Sequence, residues 1–159
     1  MGLPNTPTHG LSLRARALRW LSQREHSRHE LRTKLLHAAG DSAEPATIEA
    51  LIDQLVEQGH LNDARFVESR VHARHARFGN RRIELELRQH GLSPGDQLQQ
   101  QLRTSELARA REVWRKKFDG RQATDAAGRA KQARFLAARG FSAEVVRKIV
   151  SNNREDEST

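Results

Sequence analysis

Apolar residues recur along the chain at intervals of three and four, β-branched residues are sparse and tyrosine is absent, a pattern that predicts helices throughout and no strand. The stops and starts divide these into nine short helices. The first spans about residues 12–24, with Ala15, Leu18 and Leu21 on one side. Ser27-Arg28-His29-Glu30 has the S-x-x-E form of a capping box and opens a second helix carrying Leu31 and Leu35, which Gly40 ends. Pro45 suits the first turn of a third, carrying Ile48, Leu51, Ile52, Leu55 and Val56 as far as Gly59. Asn62 and Asp63 are good caps for a fourth, through Phe66, Val67 and Val71 to Phe78-Gly79. A fifth contains Ile83 and Leu87 and ends at Gly91, and Ser93-Pro94-Gly95-Asp96 supplies the start of a short sixth with Leu98 and Leu102. The seventh covers residues 106–118 with Val113 and Trp114, the eighth about 125–139, and the ninth about 143–152.

The stops at Gly40, Gly91 and Gly140 lie 51 and 49 residues apart, so the nine helices group as three copies of a three-helix unit. Leu87-Arg88-Gln89-His90-Gly91-Leu92-Ser93 aligns with Leu136-Ala137-Ala138-Arg139-Gly140-Phe141-Ser142, and the first copy is the most divergent. The fold class expected is all-α, three tandem three-helix repeats of helix-turn-helix character in an elongated, curved array: residues 11–60, 61–103 and 104–150, between mobile tails at 1–10 and 151–159.

Composition changes the picture in two ways. The 159 residues contain no cysteine, which excludes a disulfide framework, a thiolate nucleophile and cysteine metal sites. There are 28 basic against 20 acidic side chains, a formal net charge of +8, and all but five of the basic residues are arginine, whose planar fork suits phosphate and carboxylate. An anionic partner, nucleic acid first and an acidic protein surface second, is expected. No apolar run is long enough to span a bilayer, and Met1-Gly2-Leu3-Pro4-Asn5-Thr6-Pro7 lacks a signal-peptide pattern, so a soluble cytoplasmic protein with no membrane partner is expected.

Arg70, Arg74, Arg77 and Arg81, at spacings of four, three and four, fall on one side of a continuous helix, with Arg82 adjacent and Arg88 further on; Gly79-Asn80 bends the path between Arg77 and Arg81. Phe66 shares the sector of Arg70 and Arg77, so some arginine stems cover apolar surface. A second basic group, Arg109, Arg111, Arg115, Lys116 and Lys117, surrounds Trp114. Each group reads either as a contact for phosphate or an acidic partner or as a solvated charged face. Trp114 can stack on a base, but a core position against Val113 and Phe118 is the preferred reading. His26/His29 and His72/His75 lack a third ligand, Ser27 serves better as a cap than as a nucleophile, and Asp63, Glu68, Glu84 and Glu86 are more simply caps and arginine partners than catalytic carboxylates. With no phosphate-cradling glycine loop either, no catalytic residue, metal or cofactor is expected.

Four segments in order, Ser27 to Leu35, Gly59 to Phe66, Gly79 to Leu87 with Gly91, and Arg134 to Ser142, resemble the motifs of the bacterial regulatory protein RecX family, over about residues 11–150. The residues that carry the resemblance, mainly structural, are Ser27, Glu30, Leu31, Leu35, Asp63, Phe66, Gly79, Ile83, Leu87, Gly91, Phe135, Leu136, Gly140 and Phe141. Asn62 stands where the family often has aspartate, and an extra residue precedes Gly40. The resemblance implies a non-enzymatic modulator of the RecA recombinase, acting in homologous recombination, DNA repair and the SOS response; the chain offers no long heptad seam for dimerisation, and a monomer is expected. Such a protein lodges in the groove of the RecA–single-stranded-DNA filament and limits its extension, ATP hydrolysis, strand exchange and co-protease activity. A direct DNA-binding regulator of helix-turn-helix type and a non-specific nucleic-acid binder are the competing readings, and a small hydrolase is the least supported.

Overall fold

A computed structural model describes residues 11–151; the two expected tails therefore lie outside the described residues, apart from Ser151. Eight helices and no strand occur among them: α1 (Leu13–Gln23), α2 (Arg28–Ala39), α3 (Pro45–Glu57), α4 (Asp63–Arg74), α5 (Asn80–Gln89), α6 (Asp96–Phe118), α7 (Ala126–Ala138) and α8 (Ala143–Ser151). Two compact units divide between Val67 and Glu68, inside α4.

In the first unit, the Ser12 and Ser27 hydroxyls accept the amides of Ala15 (3.1 Å) and Glu30 (3.0 Å), capping α1 and α2 as their sequences direct. Pro45 lies in the first turn of α3. The Asn62 side chain caps α4 through the Arg65 amide (3.0 Å), whereas the neighbouring Asp63 reaches back to cap α2, accepting the Arg28 amide at 2.8 Å. Ala17, Leu31, Leu35, Ile48, Ile52, Leu55 and Leu61 form the core, each no more than 1% exposed. Two of these, Leu31 and Leu35, are the i, i+4 pair that the apolar period places on one face of α2.

In the second unit, α5 packs on α6, and α6, α7 and α8 pack on one another. Ala110, Trp114, Leu136, Phe141, Val146 and Ile149 make a buried cluster. The expected sixth and seventh helices are one continuous α6. No glycine or proline interrupts residues 96–118, and the polar residues between Leu102 and Glu106 are accommodated inside the helix, Thr104 and Ser105 donating their hydroxyls to the Gln101 (3.2 Å) and Leu102 (3.3 Å) carbonyls. The helix starts from Gly95, not from a Ser93 cap. The fourth helix also ends earlier than expected, at Arg74 rather than Phe78.

A backbone junction joins the start of α5 to the end of α7: the Gly79 amide donates to the Arg139 carbonyl (2.8 Å) and the Arg81 amide to the Gly140 carbonyl (3.1 Å). A Cβ at Gly79 would stand 2.2 Å from the Phe141 nitrogen, and one at Gly140, where φ is +89°, would stand 2.4 Å from the Arg82 Cβ, so only glycine permits this approach. Beside the junction Glu106, 4% exposed in mid-α6, accepts the Asn80 amide with Oε2 (3.2 Å) and the Ser142 amide with Oε1 (2.9 Å), closing the N-termini of α5 and α8 with one carboxylate.

Candidate functional site

The arginines sort by what already occupies them. Arg70 and Arg74 of α4 share the carboxylate of Glu86 on α5, at 3.4 and 3.1 Å, and so hold two helices together. Arg109 is half-buried and commits every guanidinium nitrogen: Nε to Ser105 Oγ (2.9 Å), Nη1 to the carbonyls of His75 (2.9 Å) and Phe78 (3.0 Å), Nη2 to Asn80 Oδ1 and the Leu102 carbonyl (3.1 Å). Burial pushes its pKa down and the nearby Glu106 pushes it back up. Arg109 therefore stitches the 75–80 turn to α6 and does not stand with the exposed basic residues that flank it in sequence. Nor do Arg70, Arg74, Arg77 and Arg81 share one helix face, because α4 stops at Arg74, Arg77 lies in the following turn and Arg81 begins another helix.

What the fold assembles instead is a row of cations over two aromatic rings. Phe78 has the guanidinium carbons of Arg82, Arg139 and Arg77 at 4.2, 5.5 and 5.7 Å from its ring centre. Phe135, edge-on to Phe118, has Arg139 at 5.2 Å and the Lys117 ammonium at 5.4 Å. Arg139 thus links the two basic groups that lie far apart in sequence, and the Gly79–Gly140 junction is what brings it beside Phe78. The negative faces of the rings offset the repulsion between neighbouring cations, an attraction of about 0.5–1 kcal/mol each at exposed sites. Arg81, Arg82 and Arg88 are exposed and, among the described residues, none of them is in an ion pair; the same holds for Arg111. Arg115 and Lys116 bracket Glu112 at 2.6 and 4.0 Å, and the Arg115 hydrogen bond holds that carboxyl below its usual range. A row of cations on aromatic supports, three of them exposed and Arg139 half-buried, can bind phosphate oxygens or carboxylates.

Sequence reasoning did not single out Arg139, although it stands next to Gly140 inside one of the family-like segments; its place over Phe78 depends on Gly79 meeting Gly140, and no local pattern carries that. Trp114 is in the core, 9% exposed, its indole N–H held by Gln132 Oε1 at 3.1 Å, and is not available to stack on a base.

The first unit is more evenly balanced. Arg28 and Arg32 share Glu49, with Arg28 also on Asp53, and the Arg32 hydrogen bond holds the Glu49 carboxyl at about 2. Burial is the largest single influence on Glu30 and works against its ionisation, but the Arg24 hydrogen bonds, at 2.6 and 2.9 Å, and the positive charge of His26, Arg24 and Lys34 together outweigh it and bring that pKa to about 2. His26, 1% exposed, donates Nδ1–H to the Arg24 carbonyl (3.1 Å) and accepts from Lys34 Nζ at Nε2 (2.7 Å), and burial pushes its pKa down. It is a satisfied core histidine. Among the described residues no cluster of three or more His, Asp or Glu could hold a metal ion, and no helix is long and apolar enough to cross a membrane.

Fold and site together define an all-helical protein of three-helix units that presents an arginine-rich face. Residues 62–97 match the second three-helix domain of RecX and residues 104–150 the third, the gap and the start of the latter falling within α6. The chain is 51% identical over 143 residues to a protein named regulatory protein RecX in Leptothrix cholodnii, covering 88% of each chain. Relatives of the same name in Herminiimonas arsenicoxydans (48% over 149 residues, 92% of this chain and 96% of that one) and Ralstonia nicotianae (49% over 154 residues, 94% and 91%) are similar along nearly their whole length. The chain belongs to the RecX family of regulatory proteins.

Proposed function

We propose that this protein is a non-enzymatic regulator of the RecA recombinase in the cytoplasm, binding the RecA–single-stranded-DNA filament in its groove and limiting filament extension, ATP hydrolysis, strand exchange and co-protease activity. The observation that carries the reading is the cation row Lys117, Arg139, Arg77 and Arg82 on Phe135 and Phe78, flanked by the exposed Arg81 and Arg88, with Arg111 exposed elsewhere on α6. A filament interior offers phosphates and acidic protomer surface, and this face offers cations that internal carboxylates have not neutralised. Bound there, the protein clamps neighbouring protomers and obstructs the next addition at the filament end. The remaining candidates Arg70, Arg74, Arg109, Arg115 and Lys116 contribute mainly by supporting and charging the face.

The test is RecA ATP hydrolysis on single-stranded DNA with the protein titrated from well below one per protomer. Wild type should inhibit at substoichiometric amounts, and the double variant Arg82→Glu/Arg139→Glu, its fold checked by circular dichroism, should need at least about tenfold more protein. Unchanged inhibition by the variant would refute the role of this face. The same row suits direct binding of single-stranded DNA; in that case affinity for DNA alone would be tight and would fall steeply with salt, with no effect on RecA.

A further inference from the structure

Helix α5 buries Ile83 and Leu87 completely but leaves Leu85 56% exposed. Arg81, Arg82 and Arg88 lie four before, three before and three after it, so all three border the same side of the helix. These residues form one wall of a groove whose other wall is the end of α7, where Ala137, Ala138 and Gly140 carry too little side chain to fill it. Glu84 is the one carboxylate on its lining, against three guanidinium groups. The groove thus places an exposed leucine among three guanidinium groups, opposite small side chains.

We propose that this groove docks protein rather than nucleic acid: resting on the reading above, it receives from a RecA protomer an apolar side chain flanked by carboxylates. An aliphatic side chain amid arginines offers a phosphodiester backbone nothing, and a fourth cation there would serve DNA better. A protein segment gains from both features, with carboxylates on the guanidinium groups and an apolar residue against Leu85, which water leaves on docking. Arg82, which lies over Phe78 and also lines the groove, stands where the two meet: Arg77, Arg139 and Lys117 of the aromatic-supported row then take phosphate, and the Leu85 groove takes protein.

Leu85→Lys separates the two occupants, because it removes the apolar side chain and adds the charge that DNA would favour. It is an exposed helix position that lysine suits. Binding of full-length protein is measured by anisotropy to labelled oligo(dT) and by co-sedimentation with RecA filaments assembled on oligo(dT) with a non-hydrolysable ATP analogue. The groove reading expects filament affinity to fall about tenfold or more, with oligo(dT) affinity unchanged or raised, and Leu85→Met to retain filament binding. Filament binding by Leu85→Lys equal to or tighter than wild type overturns the groove proposal while leaving the RecA reading in place. Failure of the wild-type protein to co-sediment with filaments overturns both.

Discussion

Substituting glutamine for Glu106 removes a charge and no volume, so its cost reports what the carboxylate does. Each oxygen accepts one backbone amide, Ser142 at 2.9 Å and Asn80 at 3.2 Å, and the side chain is 4% exposed. Glutamine keeps one oxygen and turns an NH2 group toward the other amide, so one charge-assisted bond, roughly 1.5–3 kcal/mol, is replaced by donor facing donor. The N-termini of α5 and α8 lose their compensating negative charge, about 0.3–1 kcal/mol each, and the half-buried Arg109 loses the carboxylate that offsets its burial. Together these give an expected destabilisation of about 2–4 kcal/mol, discounted for partial overlap of the contributions. Urea denaturation followed by circular dichroism should show a lower midpoint with the same slope, and hydrogen exchange should speed up in the first turn of α5 or α8, whichever amide faces the NH2. A loss below about 0.5 kcal/mol would refute the claim that this carboxylate ties the two helices together.

Gly79→Ala should cost about 2–4 kcal/mol, since a Cβ 2.2 Å from the Phe141 nitrogen breaks the Gly79–Arg139 and Arg81–Gly140 hydrogen bonds; denaturation measures this, and RecA inhibition should weaken with it as Arg139 leaves Phe78. On the acid side, Glu30 and Glu49 titrate near 2 in the folded protein, below their ordinary 4.5, so the stability they add is fully present above 4.5 and is lost as pH falls toward 2. His26 acts earlier: its folded pKa lies below 6.5, the unfolded chain takes up the proton first, and stability should fall as pH drops below 6.5. Denaturation midpoints across this range should show both phases, and His26→Gln should remove the earlier one.

Much of the local structure is legible in the sequence. The caps at Ser27 and Asn62, the proline opening α3 and the period-3.6 apolar sets each depend on residues within a turn or two, and they appear where the spacing puts them. Trp114 is a core residue for the same reason, since Val113 and Phe118 travel on its helix. The apolar period divides residues 96–118 between two helices, whereas the absence of glycine and proline there, with the hydroxyls of Thr104 and Ser105 turned back to Gln101 and Leu102, lets one helix run through.

The arginines show where local information stops. A count of charges and their helical spacing determined that this all-α chain carries an excess of arginine and expects an anionic partner. Which arginines remain for that partner depended on the neighbours that tertiary structure supplied. Glu86 took Arg70 and Arg74, three backbone carbonyls, an amide and a hydroxyl took Arg109, and Phe78 and Phe135 gathered Arg77, Arg82, Arg139 and Lys117. Helix formation and capping are decided within a few residues because their hydrogen bonds close within a turn. A guanidinium at the end of a long flexible stem binds whatever acceptor or ring the fold places within its reach, and at the Gly79–Gly140 junction that placement joins residues some sixty positions apart.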